Sequence, residues 1–166
     1  MSESHQSYIL IRSNLKSGDI GYIIYLHGIL YAEEYHWNRT FEAYVADGLA
    51  GFVLAYNPDG DRIWIGERDG EIVGCIAIVG ASASEAQLRW LLVHSDLRGK
   101  GLGRRLMNEA MRFCREQGYG SVFLWTTSDL KAAAHLYLST GFHKTDEKTH
   151  EIWGQTVTEE RYEMSL

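Results

Sequence analysis

The chain has few of the residues that mark several protein classes. It contains one proline, Pro58, and two cysteines, Cys75 and Cys114, among 166 residues. The two cysteines form no CxxC pair and have no zinc-binding spacing, which excludes a disulfide framework. We therefore expect a reduced, cytoplasmic protein. The longest apolar runs are under ten residues, too short to cross a bilayer, and the first residues show no basic-then-apolar leader.

Basic residues are also scarce relative to acidic ones. Lys and Arg total 16 against 22 Asp and Glu, a formal charge of -6. This balance disfavours non-specific binding to nucleic acid or to an anionic membrane. The hydrophobic fraction of 45% and charged fraction of 23% are typical of a globular protein. No linker, repeat or low-complexity tract divides the chain, so we expect one domain over 1–166, with 1–7 as a loose N-terminal end.

Hydrophobic periodicity predicts alternating strands and helices. Asp69-Gly70 lies between two β-rich runs, which is a strong hairpin signal. The predicted strands are 8–12, 63–67, 72–79, 88–93, 122–125, 143–153 and 157–165, with a further short extended segment over 20–26. The predicted helices are 29–37, 39–53, 101–118 and 129–140. This order predicts an α/β fold with a mixed central sheet of about seven strands and helices on both faces.

The most informative segment joins a buried strand to an amphipathic helix and reads VHSDLRGKGLGR over 93–104. Its alternating glycines allow successive backbone N–H groups to converge on one anion, and the helix N-terminus adds about half a positive charge. The neighbouring basic side chains add counter-charge. The segment therefore predicts a pyrophosphate site, the alternative being a tight strand-to-helix turn. The residues concerned are Gly99, Lys100, Gly101, Gly103, Arg104 and Arg105.

Two common nucleotide signatures fail in this segment. A dinucleotide fingerprint, G-x-G-x-x-G, would need glycine where Arg104 stands, and the P-loop pattern G-x-x-x-x-G-K-S/T is absent. The segment 98–103 instead fits R/Q-x-x-G-x-G/A at the start of a helix. A second pattern follows downstream as Ala133-x-x-Leu136-Tyr137-x-x-x-Gly141-Phe142.

Together these two patterns resemble the acetyl-CoA-binding motif and the closing-helix motif of the GNAT superfamily of N-acetyltransferases. The resemblance covers about Tyr8 to Leu166. Residues 27–42 look more narrowly like the acetyltransferase half of bacterial proteins that join a MarR-type regulator to this domain, here without the regulator domain. The resemblance implies the GNAT fold, in which strands 4 and 5 splay apart.

The resemblance also implies acetyl-CoA as the acyl-donor co-substrate and no metal. Backbone groups at the end of the fourth strand would hold the pantetheine arm, and loop amides would hold the pyrophosphate. Residues after the fifth strand would line the opposite wall. The implied cofactor-binding residues are Leu91, Leu92, Val93, Arg98, Gly99, Lys100, Gly101, Leu102, Gly103, Arg104, Ser128 and Asp129.

Tyr137 aligns with the tyrosine that protonates the leaving thiolate in this superfamily, although a tyrosine at helical spacing can also be a core residue. A backbone N–H of Leu92 or Val93 would polarise the thioester carbonyl. The sequence departs from the family pattern at two positions: Leu130 replaces a common Asn, and Gln87 stands near the position of a Glu base. The base is therefore open among Glu34, Glu85, His27 and a water chain.

Four residues are candidates for binding the acceptor. An acidic group among aromatic residues suits an ammonium substrate, although such stripes are usually core. Arg89 alternates with Leu88 and Trp90, so it is expected to project from one sheet face, either structurally paired or bound to a substrate carboxylate. The four candidates are Tyr31, Glu34, Arg89 and Trp125.

The sequence therefore predicts an N-acetyltransferase in which a primary amine attacks acetyl-CoA directly. The alternative is a catalytically weak acyl-CoA-binding sensor or interaction module. We expect a small-molecule or peptide amine as the partner, cationic in character, with no nucleic acid and no membrane. A homodimer is compatible with such a fold.

Overall fold

The computed structural model describes residues 8–166, so residues 1–7 lie outside the description. A seven-stranded sheet has the order β1-β2-β3-β4-β5-β7-β6. The strands are β1 (Ile9–Arg12), β2 (Arg62–Arg68), β3 (Glu71–Gly80), β4 (Glu85–Val93), β5 (Ser121–Thr127), β6 (His143–Ile152) and β7 (Gln155–Ser165). The helices are α1 (Asp19–Tyr35), α2 (Arg39–Leu54), α3 (Leu102–Glu116) and α4 (Lys131–Thr140), with a 3-10 turn over Ser95–Leu97. The predicted mixed α/β sheet is confirmed.

Strands β4 and β5 are parallel and separate soon after they pair. Their ladder contains Glu85–Ser121, Ala86–Val122 and Gln87–Phe123. Both strands continue beyond these pairs, β4 to Val93 and β5 to Thr127. Backbone groups of β4 that face β5 beyond Gln87 therefore have no ladder partner on that strand. The predicted splay between strands 4 and 5 is confirmed.

The two faces of the sheet bury separate hydrophobic clusters. One cluster includes the predicted inner face of α3, namely Leu102, Leu106, Ala110, Phe113 and Cys114. The other contains side chains of α1 and α2, such as Ile23 and Leu49, together with Trp90 of β4. Helices therefore lie on both faces, as predicted. None of the helices in the described part of the chain has the length and apolar character needed to span a bilayer.

The prediction of an extended segment over 20–26 was wrong, because these residues form the first two turns of α1. This helix begins at Asp19 and ends at Tyr35, rather than running from 29 to 37. Isoleucines favour strands locally, but Ile23, Leu26 and Leu30 share one buried stripe on the sheet. Tertiary packing of that stripe outweighs the local propensity.

Two glycines of the hairpin allow α3 to begin very close to the sheet. A Cβ at Gly74 would lie 2.8 Å from the Leu92 carbonyl oxygen and 3.0 Å from Leu102 Cδ2. A Cβ at Gly66 would lie 3.3 Å from Leu102 Cδ1. Leu102 is the first residue of α3 and is 1% exposed. Its seat on these glycines fixes the N-terminus of α3 beside the end of β4.

Candidate functional site

A cleft of about 460 Å³ lies between the end of β4, the start of α3 and the helix α4. It brings together nine of the twelve predicted cofactor-binding residues: Leu91, Leu92, Val93, Arg98, Gly99, Gly101, Leu102, Gly103 and Arg104. Tyr31, Tyr35 and Leu130 complete part of its wall. Lys100, Ser128 and Asp129 are not among the residues that line it.

The glycine-rich loop presents its backbone amides to open space. Gly99 and Gly101 have φ values of 73° and 86°, and a Cβ on either would meet no atom within 4 Å. Beyond this turn, Arg105 is the first residue whose amide has a backbone acceptor, and it donates to the Gly101 carbonyl oxygen at 3.1 Å. The amides from 99 to 104 therefore remain available at the positive end of α3. This arrangement fits a bound anion such as a pyrophosphate.

The arginines near this loop bind other parts of the protein. The Arg98 guanidinium donates two hydrogen bonds of 2.5 Å to the Glu34 carboxylate, which joins the loop to the C-terminal part of α1. Arg104 donates to Ser139 and Thr140 at the end of α4. Glu34 thus neutralises Arg98, whereas Arg104 keeps its full positive charge at the cleft, beside the loop amides and the first turn of α3.

A second, aromatic cavity of about 120 Å³ lies beside the splay. It is lined by residues from α1, α2, β4, β5, α4, the 36–38 connection and the β6–β7 turn. In its wall, Trp37 and Trp153 pack with ring centroids 4.6 Å apart. Tyr31 and Leu91 line both the cleft and this cavity. The two spaces therefore meet at the point where β4 and β5 separate.

Tyr137 of α4 lines the aromatic cavity and is 5% exposed. Its ring packs against Phe142 and Tyr162 at centroid distances of 6.0 and 5.9 Å. Burial raises the pKa of Tyr137 well above its ordinary value, and the nearby Tyr162 raises it further. The hydroxyl is therefore protonated at neutral pH and donates to no acceptor between residues 8 and 166. The raised pKa means that the proton is present at the cavity and that the hydroxyl is a weaker acid than a free tyrosine.

A bulge in β4 changes the predicted direction of one side chain. The register with β3 shifts between Cys75–Leu92 and Ala77–Arg89, so β4 contains one extra residue there. Trp90 has a φ of 51° in this bulge, and the Arg89 guanidinium lies 4.3 Å from its ring centroid. Strict alternation of Arg89 with Trp90 was therefore wrong: both face the aromatic cavity.

The candidate bases have different surroundings. Glu34 is held by Arg98, and Glu85 lies before the splay, 3.9 Å from Arg161. His27 lines the aromatic cavity, with Nδ1 2.9 Å from the Ile23 carbonyl oxygen. Burial lowers the pKa of His27 to about 4, so the ring is neutral at physiological pH. Gln87 and Trp125 also line this cavity.

Sequence reasoning missed two polar residues of the aromatic cavity, Thr127 and Glu159. Thr126 and Thr127 lie at the end of β5, and their buried hydroxyls have no partner within the described residues. Glu159 of β7 is paired with Thr127 across the sheet, 2.8 Å from His150 Nε2 and 3.8 Å from Lys148 Nζ. No motif surrounds Glu159, so only the β5–β7 pairing could have indicated it. Between residues 8 and 166, His, Cys, Asp and Glu side chains form no group of three that could bind a metal.

Comparison with known proteins gives a consistent family assignment. The model of the acetyltransferase (GNAT) family matches residues 22–142. N-acetyltransferase 8B of Homo sapiens is 27% identical over 127 residues, 73% of this chain and 56% of that protein. N-acetyltransferase 8 of Rattus norvegicus is 31% identical over 122 residues, 70% of this chain and 55% of that protein. The chain spans about half the length of these curated relatives.

Solved structures show the same fold. A GNAT-family acetyltransferase from Staphylococcus aureus superimposes with a TM-score of 0.76 at 19% identity, covering 96% of this chain and 99% of that one. The protein yncA from Salmonella typhimurium, solved with its cofactor acetyl-CoA, gives a TM-score of 0.73 at 20% identity, covering 96% and 95%. With the family model covering most of the chain, these findings place the protein in the GNAT family of acetyltransferases.

Proposed function

We propose that this protein is an N-acetyltransferase that transfers the acetyl group of acetyl-CoA to a primary amine. One observation carries the proposal: a loop with free backbone amides opens onto a cleft that meets an aromatic cavity containing Tyr137 at the β4–β5 splay. The names of the curated relatives and the acetyl-CoA held by the Salmonella protein support it.

The cleft offers a separate group for each part of acetyl-CoA. In the proposal, the amides from Arg98 to Arg104 bind the pyrophosphate, because six of them have no backbone acceptor. Backbone groups of Leu91, Leu92 and Val93 bind the pantetheine arm where β5 no longer pairs with β4. Ser128 and Asp129 follow the end of β5 and do not line the cleft, so the proposal gives them no contact with this arm.

The chemistry requires one proton at the sulfur. The amine nitrogen attacks the thioester carbonyl carbon, the C–N bond forms and the C–S bond breaks. Tyr137 donates its hydroxyl proton to the departing sulfur, and a backbone N–H of Leu92 or Val93 polarises the carbonyl oxygen. The raised pKa of Tyr137 keeps the donor protonated across the physiological range.

The acceptor must also lose a proton, because an ammonium group has no free electron pair. Glu34 and Glu85 do not line the cavity. Glu159 is the carboxylate among the cavity-lining residues. We therefore assign this proton to Glu159, directly or through water.

The test is an assay of the whole chain with acetyl-CoA and a panel of primary amines. Release of the CoA thiol is followed together with the mass of the N-acetylated product, and a reaction without amine measures hydrolysis. The proposal is supported by amine-dependent thiol release together with a product about 42 Da heavier than the amine. This is the mass added when an acetyl group replaces a hydrogen. Acetyl-CoA binding without product from any amine would instead favour the sensor alternative.

A further inference from the structure

Arg89 carries an unused cation in the aromatic cavity. Arg89 lines the cavity, and its guanidinium makes no salt bridge or hydrogen bond with any residue between 8 and 166. The guanidinium fork has five N–H donors whose geometry matches a carboxylate. An arginine without a protein partner in a cavity wall is therefore a natural site for an anionic group of a ligand.

The surrounding backbone is shaped to hold this side chain. Trp90 adopts a left-handed conformation with φ 51°, which strains the backbone of a non-glycine residue. This conformation brings Arg89 and Trp90 to one face, where they stack at 4.3 Å. On the other side, a Cβ at Gly48 would lie 2.9 Å from Arg89 Nη2 and 3.0 Å from Trp90 Cζ2. The absence of a side chain at Gly48 thus makes room for the stacked pair.

The residues of β5 and β7 that line the cavity offer hydrogen-bond acceptors, whereas Arg89 offers donors. Thr127 is 4% exposed, and its buried hydroxyl has no partner among residues 8–166, which is unfavourable unless a ligand supplies one. The Glu159 carboxylate, two oxygens that can only accept, lies on the strand paired with Thr127. These groups suit the N–H donors of an ammonium or amine. Lys148 Nζ lies 3.8 Å from the Glu159 carboxylate and offsets part of its charge, which limits the repulsion of a second carboxylate.

The remaining surface of the cavity is aromatic. Rings from α1, the 36–38 connection and α2 pack at centroid distances of 4.9–5.3 Å: Tyr31 with Trp37 at 5.3 Å, and Phe41 with Tyr31 and Trp37 at 4.9 Å. Trp125 is 40% exposed at the same cavity. Such a surface favours an apolar or aromatic group over a second polar one.

From these observations we infer that the acceptor is an amino acid with an apolar or aromatic side chain, whose carboxylate binds Arg89. This inference rests on the proposed function and names its substrate class. Arg89 binds the carboxylate, Thr127 and Glu159 receive the amino group, and the aromatic rings contact the side chain. A polyamine or a simple alkylamine leaves the Arg89 guanidinium without a partner.

The test compares amino acids with the amines that lack only their carboxylate. The probes are L-phenylalanine with phenethylamine, L-tryptophan with tryptamine, and L-leucine with isopentylamine. For each pair the ratio of kcat/KM for the amino acid to kcat/KM for the amine is measured in the wild type and in Arg89→Met. The methionine keeps an unbranched apolar stem against Trp90 and removes the charged fork.

A matched control is available at Arg62. Its guanidinium also stacks on an aromatic ring, lying 4.6 Å from the Phe113 centroid, but it lines neither cavity. We expect the wild type to favour the amino acid in at least one pair. Arg89→Met should lower that ratio by at least about 10-fold, the effect of one charged hydrogen-bonding pair, and Arg62→Met should leave it unchanged.

The possible failures are distinguishable. Equal use of both members of every pair, preference for the amines, or an unchanged ratio in Arg89→Met overturns this inference while the proposed function stands. Absence of product from every amino acid and amine, in a protein that binds acetyl-CoA, overturns the proposed function itself. Circular dichroism and the acetyl-CoA dissociation constant of Arg89→Met separate a lost contact from a misfolded chain.

Discussion

The two spaces that meet at Tyr31 and Leu91 are built in different ways. The cleft is formed largely by one continuous segment, 91–104, and its main polar groups are backbone amides. The aromatic cavity is formed by side chains from α1, α2, β4, β5, α4 and β7 that are far apart in the sequence. The first depends on loop conformation, and the second depends on which side chains the fold brings together.

This difference assigns different tasks to the two regions. A site made of backbone amides recognises a group that is the same in every reaction, here the pyrophosphate of the proposed donor. A site made of side chains can differ between proteins with the same fold, because each substitution changes its shape and charge. Substitutions in the cleft should therefore change donor binding, whereas substitutions in the cavity should change turnover and acceptor choice.

The largest expected effect is on turnover. Tyr137→Phe removes the proposed proton donor from the cavity and leaves the loop amides intact. We expect kcat to fall by about 100-fold, with the acetyl-CoA dissociation constant changed less than about 2-fold, since the ring still fills its buried position. Steady-state kinetics and calorimetry measure the two quantities. Tyr162→Phe, which alters a neighbouring ring, is the control. Equal loss of binding and turnover would remove the distinction between the two regions.

The next effect concerns stability of the cavity wall at low pH. His27 is buried, and its folded-state pKa of about 4 lies below the ordinary value of 6.5. The unfolded chain therefore binds the proton more readily, so this stability is present above pH 6.5 and is lost as pH falls towards 4. Near pH 4.5 the loss is about 3 kcal/mol. Unfolding by denaturant at pH 7.5 and 4.5 should show a smaller pH dependence for His27→Gln than for the wild type. An equal change in the free energy of unfolding between the two pH values in both proteins would contradict a neutral His27.

A smaller effect is expected on donor binding. Gly101→Ala places a methyl group in the open space before the loop amides and strains a φ of 86°. We expect acetyl-CoA to bind about 10-fold more weakly, as for the loss of about one charged hydrogen bond. Gly118→Ala is matched, because Gly118 has a φ of 81° and similarly open surroundings but lies at the C-terminal end of α3. Weaker binding in both variants would mean that backbone strain, rather than the anion site, is responsible.

The smallest effect on turnover is expected at the ion pair that joins the loop to α1. Glu34→Gln breaks the ion pair with Arg98, whose side chain is 41% exposed. Such a partly exposed pair contributes less than about 1 kcal/mol, so kcat should change less than about 3-fold. The pH dependence of kcat should keep its midpoint, because Glu34 is not the base in this account. A pH profile that flattens in Glu34→Gln would return the base to this residue.

The contiguous region was the more predictable of the two. The glycine pattern of 98–103 indicated the loop and the first turn of α3 because each group lies on neighbouring residues. The inner face of α3 was also correctly predicted from its periodicity. The start of α1 was not, since Ile20, Ile23 and Ile24 favour a strand until they can pack on the sheet.

Parts of the cavity could not be read from the sequence for a physical reason. The β4 bulge depends on pairing with β3, so the direction of Trp90 required the register. Glu159 reaches the cavity through pairing of β7 with β5, and Glu34 meets Arg98 across 64 residues. Each of these relations is a long-range contact that no local pattern encodes.

Whether the loop amides bind the donor is measured by calorimetric titration of the protein with acetyl-CoA, with dephospho-CoA as a comparison ligand and Tyr137→Phe in parallel. We expect micromolar binding of acetyl-CoA to both the wild type and Tyr137→Phe, because the loop amides and the pantetheine wall are unchanged in the variant. Failure of acetyl-CoA to bind the wild type would contradict this expectation, and the free amides of the 99–104 segment would then belong only to a strand-to-helix turn.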